Sequence, residues 1–386
     1  MSVVQVISSP WWTGAAEPAL FLTADLAARG HSLHFVCGGG ERLEEEAAKA
    51  GVPRIPGLDP TRSLKPWAVW RAVRDLAALI NRVKADVVHA HLSADHWLAH
   101  LAASMARRPV RLVRSVHHTR AAKTGPAYRY LYYVTDAVIA VSQYIAGALR
   151  GGAGVPAERL HVVPGGVDLD RFRLPTAECR ARGREILGIG ADVPVIGIVS
   201  RLAHDRGLPE LLEAFRLVAA DIPNTRFVVV GKGEFLSKLR HQAGDLGLAG
   251  KVLFPGYIED ELVPVLAAFD IFTLMTPGSE GSCRAVLEAM ALGLPCVVAD
   301  HNGLAEVVEG GLTAGIVPPG SPELLADAFI GLLKNEKLRA AYGKEGRNRV
   351  EERFGRGRRA SSVETVYTSI LENAAPMPQD YAGAKR

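Results

Sequence analysis

Val195-Ile-Gly-Ile-Val199, Ser200-Arg201-Leu-Ala-His-Asp-Arg206-Gly207 and the run from Leu208 to Ala220 read as strand, loop and helix. Five consecutive apolar residues, four of them β-branched, suit a strand covered on both faces. The polar loop leads straight into a pattern of helical period. The same unit then recurs. Strands are expected at Arg226–Val230, Val252–Phe254, Ile271–Thr276, Cys296–Ala299 and Gly315–Val317. Helices are expected at Leu208–Ala220, Glu234–Leu246, Ala285–Leu292 and Glu323–Leu333, the last opened by Ser321 as N-cap with Pro322 behind it.

The chain before residue 164 has the same rhythm. Strands are expected at Val3–Ser8, Ser32–Cys37, Asp86–Ala90, Arg111–Val116, Ala137–Val141 and Leu160–Val163. Helices are expected at Ala16–Arg29, Trp67–Val83 and Asp95–Ala106, with Gly30 placed as a helix stop. Between the two series lie the turn cluster Val163-Pro-Gly-Gly-Val-Asp168 and a polar, Arg-rich stretch to about Gly190. From Leu338 to Asn373 the pattern is helical. The fold class is therefore α/β: two consecutive Rossmann-like, doubly wound domains of similar size, joined near residues 164–190 and facing across a cleft. In such sheets ligands bind beyond the carboxyl ends of the strands, so functional residues are expected in the loops after them.

Composition bounds the possibilities. The 386 residues are 48% hydrophobic and 22% charged, which excludes wholesale disorder. Cys37, Cys179, Cys283 and Cys296 form no C-x-x-C pair, so neither a disulfide framework nor a structural zinc is expected. The N-terminus lacks a basic region before its apolar run, and no window holds 18 apolar residues. A cytoplasmic protein is expected. The net charge of +4 hides an asymmetry: residues 1–190 hold 24 Lys/Arg against 16 Asp/Glu, and the remainder 21 against 25.

Two segments carry the chemistry. Glu280-Gly-Ser-Cys-Arg-Ala-Val-Leu-Glu288 follows a strand and enters a helix. Its glutamates are about 12 Å apart at ~1.5 Å per residue, too far to share a proton but suited to gripping two parts of an elongated ligand. The backbone N–H groups of Gly281–Arg284 open the helix and suit phosphate. Arg201 and Arg206, five apart beside another helix start, make a plausible diphosphate clamp.

Arg201-x4-Arg206-Gly207, Leu211-Leu-Glu-Ala-Phe215, Val229-Val-Gly231-Lys-Gly233, Phe254-Pro-Gly256 and Glu280-x7-Glu288-Ala-Met-Ala-x-Gly-x-Pro295 occur in order. In sequence and spacing they resemble the nucleotide-binding domain of retaining glycosyltransferase family four, which has the GT-B fold. More generic matches in the first half are Gly14-Ala15, Asp86-Val-Val-His-Ala-His91 and Pro164-Gly-Gly-Val-Asp168. The resemblance covers about residues 1–370. It implies an acceptor-binding domain over 1–175, a nucleotide-sugar domain over 176–355, a helix at about 356–374 crossing back, and a flexible tail at 375–386.

It also implies roles. Arg201 and Arg206 would hold the donor diphosphate, with Arg206 standing where the family usually has Lys. Glu288 would bind the ribose and Glu280 the transferred sugar. Gly231, Lys232 and the stretch Phe254, Gly256, Tyr257 would pass the base. Gly14 and Ala15 would approach the phosphates, the family often having a second Gly at the latter. His117 would meet the transferred sugar. The family's Glu-Gly-Phe-Gly-Leu reads here as Glu280-Gly281-Ser282-Cys283-Arg284, so Arg284 is either a third cation on the phosphates or a solvent-facing side chain.

The expected reaction is retaining, metal-independent hexosyl transfer from a nucleotide-diphosphate sugar, UDP-sugar ahead of GDP-mannose. No resident cofactor is expected. His89, His91, His96 and His100 could be taken for a metal site, but H-x-H is a weak signal. The acceptor would be a glycan or a lipid-linked cell-envelope intermediate. The basic run Arg107–Arg129 and the stretch Arg62–Arg74, with Trp67 and Trp70, suggest contact with an anionic membrane surface, on the inner face of the cytoplasmic membrane. Nucleic acid is not expected as a partner. Competing readings are a sugar phosphorylase or sugar-nucleotide epimerase on the same fold, a degenerate sugar-binding scaffold, and an NAD-dependent oxidoreductase. The last needs G-x-G-x-x-G, and neither Gly231-Lys-Gly233 nor Gly38-Gly-Gly40 supplies the third glycine.

Overall fold

The computed structural model describes residues 1–9, 13–60, 65–275, 280–301 and 303–373; the side chains of Glu41, Glu280, Gly281 and Ser282 are excepted. Two compact units emerge. One comprises Met1–Val141, Ile145–Val163 and the described residues from Arg359 onward. The other comprises Ser142–Tyr144 and Pro164–Arg358.

The first unit holds a parallel sheet of β1 (Ser2–Ile7), β2 (Ser32–Cys37), β3 (Val87–Ala90), β4 (Arg111–Val116), β5 (Ala137–Ala140) and β6 (Leu160–Val162), in the order β2-β1-β3-β4-β5-β6. The second holds β7 (Val195–Val199), β8 (Arg226–Val230), β9 (Val252–Gly256), β10 (Ile271–Leu274), β11 (Cys296–Ala299) and β12 (Ala314–Val317), in the order β12-β11-β10-β7-β8-β9. Strand order reverses between β1 and β3 and between β7 and β10. Those are the switch points where loops diverge and open a crevice. The loop after β7 carries Arg201 and Arg206, and the helix Glu280–Ala291 follows β10, so both segments named from sequence flank one switch point.

β3, β5, β10 and β11 are buried at every position, as apolar strands between helical layers must be. One face of the first sheet is covered by Leu22 and Leu26 of the helix Ala16–Ala28. Ala360, Val363, Val366 and Tyr367 of the helix Arg356–Glu372 cover it as well. The opposite face is covered by Val73, Leu76 and Ile80 of the helix Pro66–Arg82 and by Leu98, Ala99 and Ala102 of the helix Ser93–Ser104.

Three local expectations are corrected. The Arg-rich stretch before Gly190 contains a helix, Ala177–Leu187, built into the second unit rather than linking. Before Ile186 and Leu187 its inward face carries Gly183 and Arg184, so the usual apolar period is missing. A Cβ on Gly183 would lie 1.8 Å from the Pro264 carbonyl oxygen, and Arg184 and Arg180 both pair with Asp270. Ser321 begins its helix without a capping hydrogen bond from its side chain. The helical tract after Leu338 is broken at Phe354–Gly355, where Val167 bonds backbone to backbone with the flanking residues.

Candidate active site

Successive loops at the carboxyl edge of the second sheet are tied together by their backbones. Ser200 N–H donates to the Val230 carbonyl (3.0 Å), Leu202 N–H to Lys232 (3.0 Å) and Gly231 N–H to Gly256 (2.8 Å). Gly231 makes this possible. Its φ is +145°, and a Cβ there would lie 1.9 Å from the Ser200 carbonyl oxygen. On this platform Lys232 Nζ stands 4.8 Å from the centroid of the Tyr257 ring, a cation–π pair at an exposed edge. Gly231, Lys232, Gly256 and Tyr257 are thus brought together, whereas Phe254 packs against the core.

The two cations of the β7 loop converge on one carboxylate. Arg201 Nη2 lies 3.5 Å from Asp205 Oδ1, and Arg206 Nε lies 3.3 Å from the same oxygen. Arg206 is largely enclosed, its side chain 14% exposed, while that of Arg201 is 58% exposed. One guanidinium is therefore held by its surroundings and the other is open to an incoming anion. Asp205, unnoticed in the sequence reading, sets the spacing of the two.

The helix Glu280–Ala291 starts at Glu280, five residues earlier than expected. The side chains of Glu280, Gly281 and Ser282 lie outside the described residues. Cys283 is half-buried, and Glu288 is buried. Arg284 lies one turn before Glu288 on the same face, and its Nε is 3.2 Å from Glu288 Oε1. Its charge is thereby directed along the helix to Glu288.

In the first unit Gly14 and buried Ala15 precede the helix Ala16–Ala28, whose first N–H is accepted by Thr13 Oγ1 at 3.1 Å. Thr at that offset is a readable capping signal that the sequence analysis passed over. His117 directly follows β4, is buried, and has Nε2 3.2 Å from His91 Nδ1. The histidines near it do not gather as ligands. His89 and His91 stack with centroids 4.4 Å apart, and His96 bonds through Nε2 to Thr135 Oγ1 at 2.7 Å. Among the described residues no three His, Cys, Asp or Glu side chains converge as a metal site. Burial holds His89, His91 and His96 well below the usual imidazole range, and the nearby Arg114 adds to this in each case. Asp95 accepts from the backbone N–H groups of Ser8 (3.0 Å) and Leu92 (2.9 Å), while its burial raises its pKa.

Residues 180–349 match the family model of glycosyl transferases group 1, and residues 12–171 match that of glycosyltransferase family 4. The chain is also 32% identical over 326 residues to a mannosyltransferase of Mycolicibacterium smegmatis. That relative is described as a GDP-mannose-dependent α-(1-6)-phosphatidylinositol monomannoside mannosyltransferase, and the match covers 80% of this chain and 82% of the relative.

The chain belongs to glycosyltransferase family four.

Solved structures place this glycosyltransferase in the same two-domain fold. A glycosyltransferase from Rickettsia africae superposes with a TM-score of 0.86 at 20% identity, covering 97% of this chain and 99% of that one. HepE of Anabaena, solved with UDP and glucose, superposes at 0.82 and 20% identity, covering 96% and 100%.

The family-four chain also exposes an unusual helix face. Trp67 and Trp70, at one-turn spacing on the helix Pro66–Arg82, are 68% and 61% exposed, and Arg71 and Arg74 lie beside them. Arg62–Leu64 lie outside the described residues. Part of the other basic run is structural: Arg108 pairs with Asp86 at 2.6 Å, Arg111 with Asp136 at 2.9 Å, and Arg114 is fully buried. No helix among the described residues is long and apolar enough to cross a membrane.

Proposed function

We propose that this glycosyltransferase moves a hexosyl unit, with retention and without a metal ion, from a nucleoside-diphosphate hexose to a hydroxyl of a lipid-linked or cell-envelope glycan acceptor. The observation that carries the reading is the convergence of Arg201 and Arg206 on one oxygen atom, a cationic pair already spaced for a diphosphate. In this reading the diphosphate displaces Asp205 from the two guanidinium groups. Their charge stabilises the leaving group as the glycosidic bond breaks, which is the largest single contribution the protein makes. A departing phosphate oxygen accepts the acceptor's proton, and attack comes from the same face. Glu288 binds the ribose hydroxyls, Lys232 and Tyr257 flank the base, Glu280 binds the transferred sugar, and His117 hydrogen-bonds that sugar. The backbone at Gly14, Ala15 and Gly281–Arg284 approaches the phosphates.

The expectation puts a UDP-sugar ahead of GDP-mannose, while the mycobacterial relative is GDP-mannose-dependent. GDP-mannose is therefore the first donor to test. A thermal-shift series with GDP, UDP, ADP and their common sugars ranks the bases. A nucleotide sugar that is hydrolysed slowly without acceptor, unaffected by EDTA and lost in Arg201→Ala, fits the reading; release of sugar 1-phosphate on adding phosphate overturns it in favour of a phosphorylase. The Trp67 and Trp70 face, with Arg71 and Arg74, supports peripheral binding at the cytoplasmic face of an anionic membrane. Co-sedimentation that is negligible with both neutral and anionic liposomes overturns that part.

A further inference from the structure

Six buried side chains of the first unit join end to end. His117 Nε2 is 3.2 Å from His91 Nδ1, His91 Nε2 is 2.7 Å from Gln5 Oε1, and Gln5 Nε2 is 3.1 Å from the Tyr367 hydroxyl. That hydroxyl is 2.6 Å from His89 Nδ1, and His89 Nε2 is 2.8 Å from Ser115 Oγ. The six come from β1, β3, β4, the residues just after β3 and β4, and the helix Arg356–Glu372, and no mechanism given above uses five of them.

The chain of bonds has a direction, and Gln5 sets it. Its carbonyl oxygen only accepts, so His91 Nε2 carries a proton. A neutral His91 then has only a lone pair at Nδ1, and His117 Nε2 must donate to it. On the other side the Gln5 amide donates to Tyr367, the Tyr367 hydroxyl donates to His89 Nδ1, and His89 Nε2–H donates to Ser115. Each of the five bonds then has one donor and one acceptor. The cations Arg114 and Arg359 act on His89 and His91 in the same sense as their burial and keep both rings neutral. Asp95, beyond Arg114, is occupied by the Ser8 and Leu92 amides.

We propose that this chain of hydrogen bonds locks His117 with its proton on Nε2 and its lone pair on Nδ1, and that His91, Gln5 and Tyr367 are positioning residues for sugar transfer. An amide cannot relay a proton here, so the chain orients and does not conduct. The catalytic consequence rests on the reading that His117 meets the transferred sugar; the lock itself does not.

The test uses full-length protein with 15N-labelled histidine and long-range 1H–15N spectra, which separate the two neutral tautomers. His117→Asn assigns the His117 signals. In wild type, Nδ1 of His117 is expected to be the unprotonated nitrogen. Tyr367→Phe removes one oxygen atom and lets Gln5 turn end for end, and Gln5→Met removes the acceptor for His91. Both are expected to give mixed tautomers of His117 and to lower kcat on the order of ten- to a hundredfold with donor KM nearly unchanged. Gln5→Glu keeps an acceptor facing His91 and is expected to retain the wild-type tautomer. A proton on Nδ1 in wild type overturns the proposal, as does a His117 tautomer that Tyr367→Phe and Gln5→Met leave unmoved. If Gln5→Met does not fold, Tyr367→Phe decides alone. If the tautomer moves as stated while His117→Ala transfers sugar at the wild-type rate, the lock stands and the role of His117 in transfer falls.

Discussion

The two sheets share a plan and differ in what they bury at their working ends. The first unit places Gln5, His89, His91, Asp95, Arg114, Ser115 and His117 out of solvent on and beside β1, β3 and β4. The second has an almost wholly apolar sheet and puts its chemistry on loops, with Arg201, Lys232 and Tyr257 exposed and Glu288 the buried exception. A buried polar cluster has geometry fixed before any ligand arrives, but each member needs a partner. Charged loops are less costly to maintain and depend on the ligand to order them. The first arrangement suits orienting one hydroxyl, and the second suits capturing a multiply charged diphosphate.

The difference can be broken most severely with acid. Burial lowers the pKa of His89, His91 and His96, so in the folded chain they stay neutral while the unfolded chain protonates them below about pH 6.5. The unfolded state then binds more protons, and stability falls as pH falls through that value, by up to about 1.4 kcal/mol per histidine per pH unit. Asp95, shifted up by the same burial, offsets at most one of the three. Among the described residues the second unit buries no histidine. Hydrogen-exchange protection, taken relative to the intrinsic rate at each pH, should therefore fall at pH 5 in β1, β3 and β4 well before β7, β8 and β10. Equal loss of protection in both sheets would remove the contrast.

Next in size is Arg201→Ala, expected to lower kcat on the order of a hundred- to a thousandfold with an unchanged melting temperature, because the side chain is open to solvent. Near wild-type turnover would mean that the loop cations do not serve the leaving group. Gly231→Ala tests whether the loops are a built platform. Its Cβ collides with the Ser200 carbonyl at a φ of +145°, so a loss of about 2–3 kcal/mol is expected in denaturant titrations, with weaker nucleotide binding. A small effect on stability is also expected for the double change Trp67→Ser, Trp70→Ser, within about 0.5 kcal/mol of wild type, as befits residues that are mostly exposed. That pair should still abolish pelleting with anionic vesicles if the exposed face meets a membrane.

Much of this was legible in one sequence because parallel strands buried on both faces leave unbroken apolar runs. Ser32–Cys37, Arg111–Val116, Val195–Val199, Arg226–Val230 and Cys296–Ala299 have the same bounds in sequence and structure. The helix Ala177–Leu187 was hidden because a glycine and a paired arginine do the packing that leucines usually do. The loop motifs were legible because their spacing is local. The histidine cluster was visible only as a false metal pattern. Its organising partners are Gln5, a polar residue amid the buried apolar residues of β1, and Tyr367, 362 positions away. No local period reports such a pairing. Asp205 was passed over because an acid between two cations looks like a solvated loop.

The helix Arg356–Glu372 sits on the first sheet, though the ribosome makes it after every strand of both sheets. Val3, Val87, Val113 and Ile139 are translated early and must wait for Ala360, Val363, Val366 and Tyr367 to cover them. The second unit can close first, since its strands and covering helices are contiguous in the chain. The first remains an open sheet with an aqueous polar seam until synthesis has passed residue 367. During that interval its nascent apolar face is what a chaperone would meet, and a chain that ends near residue 358 would carry a finished second unit tethered to an unfinished first one.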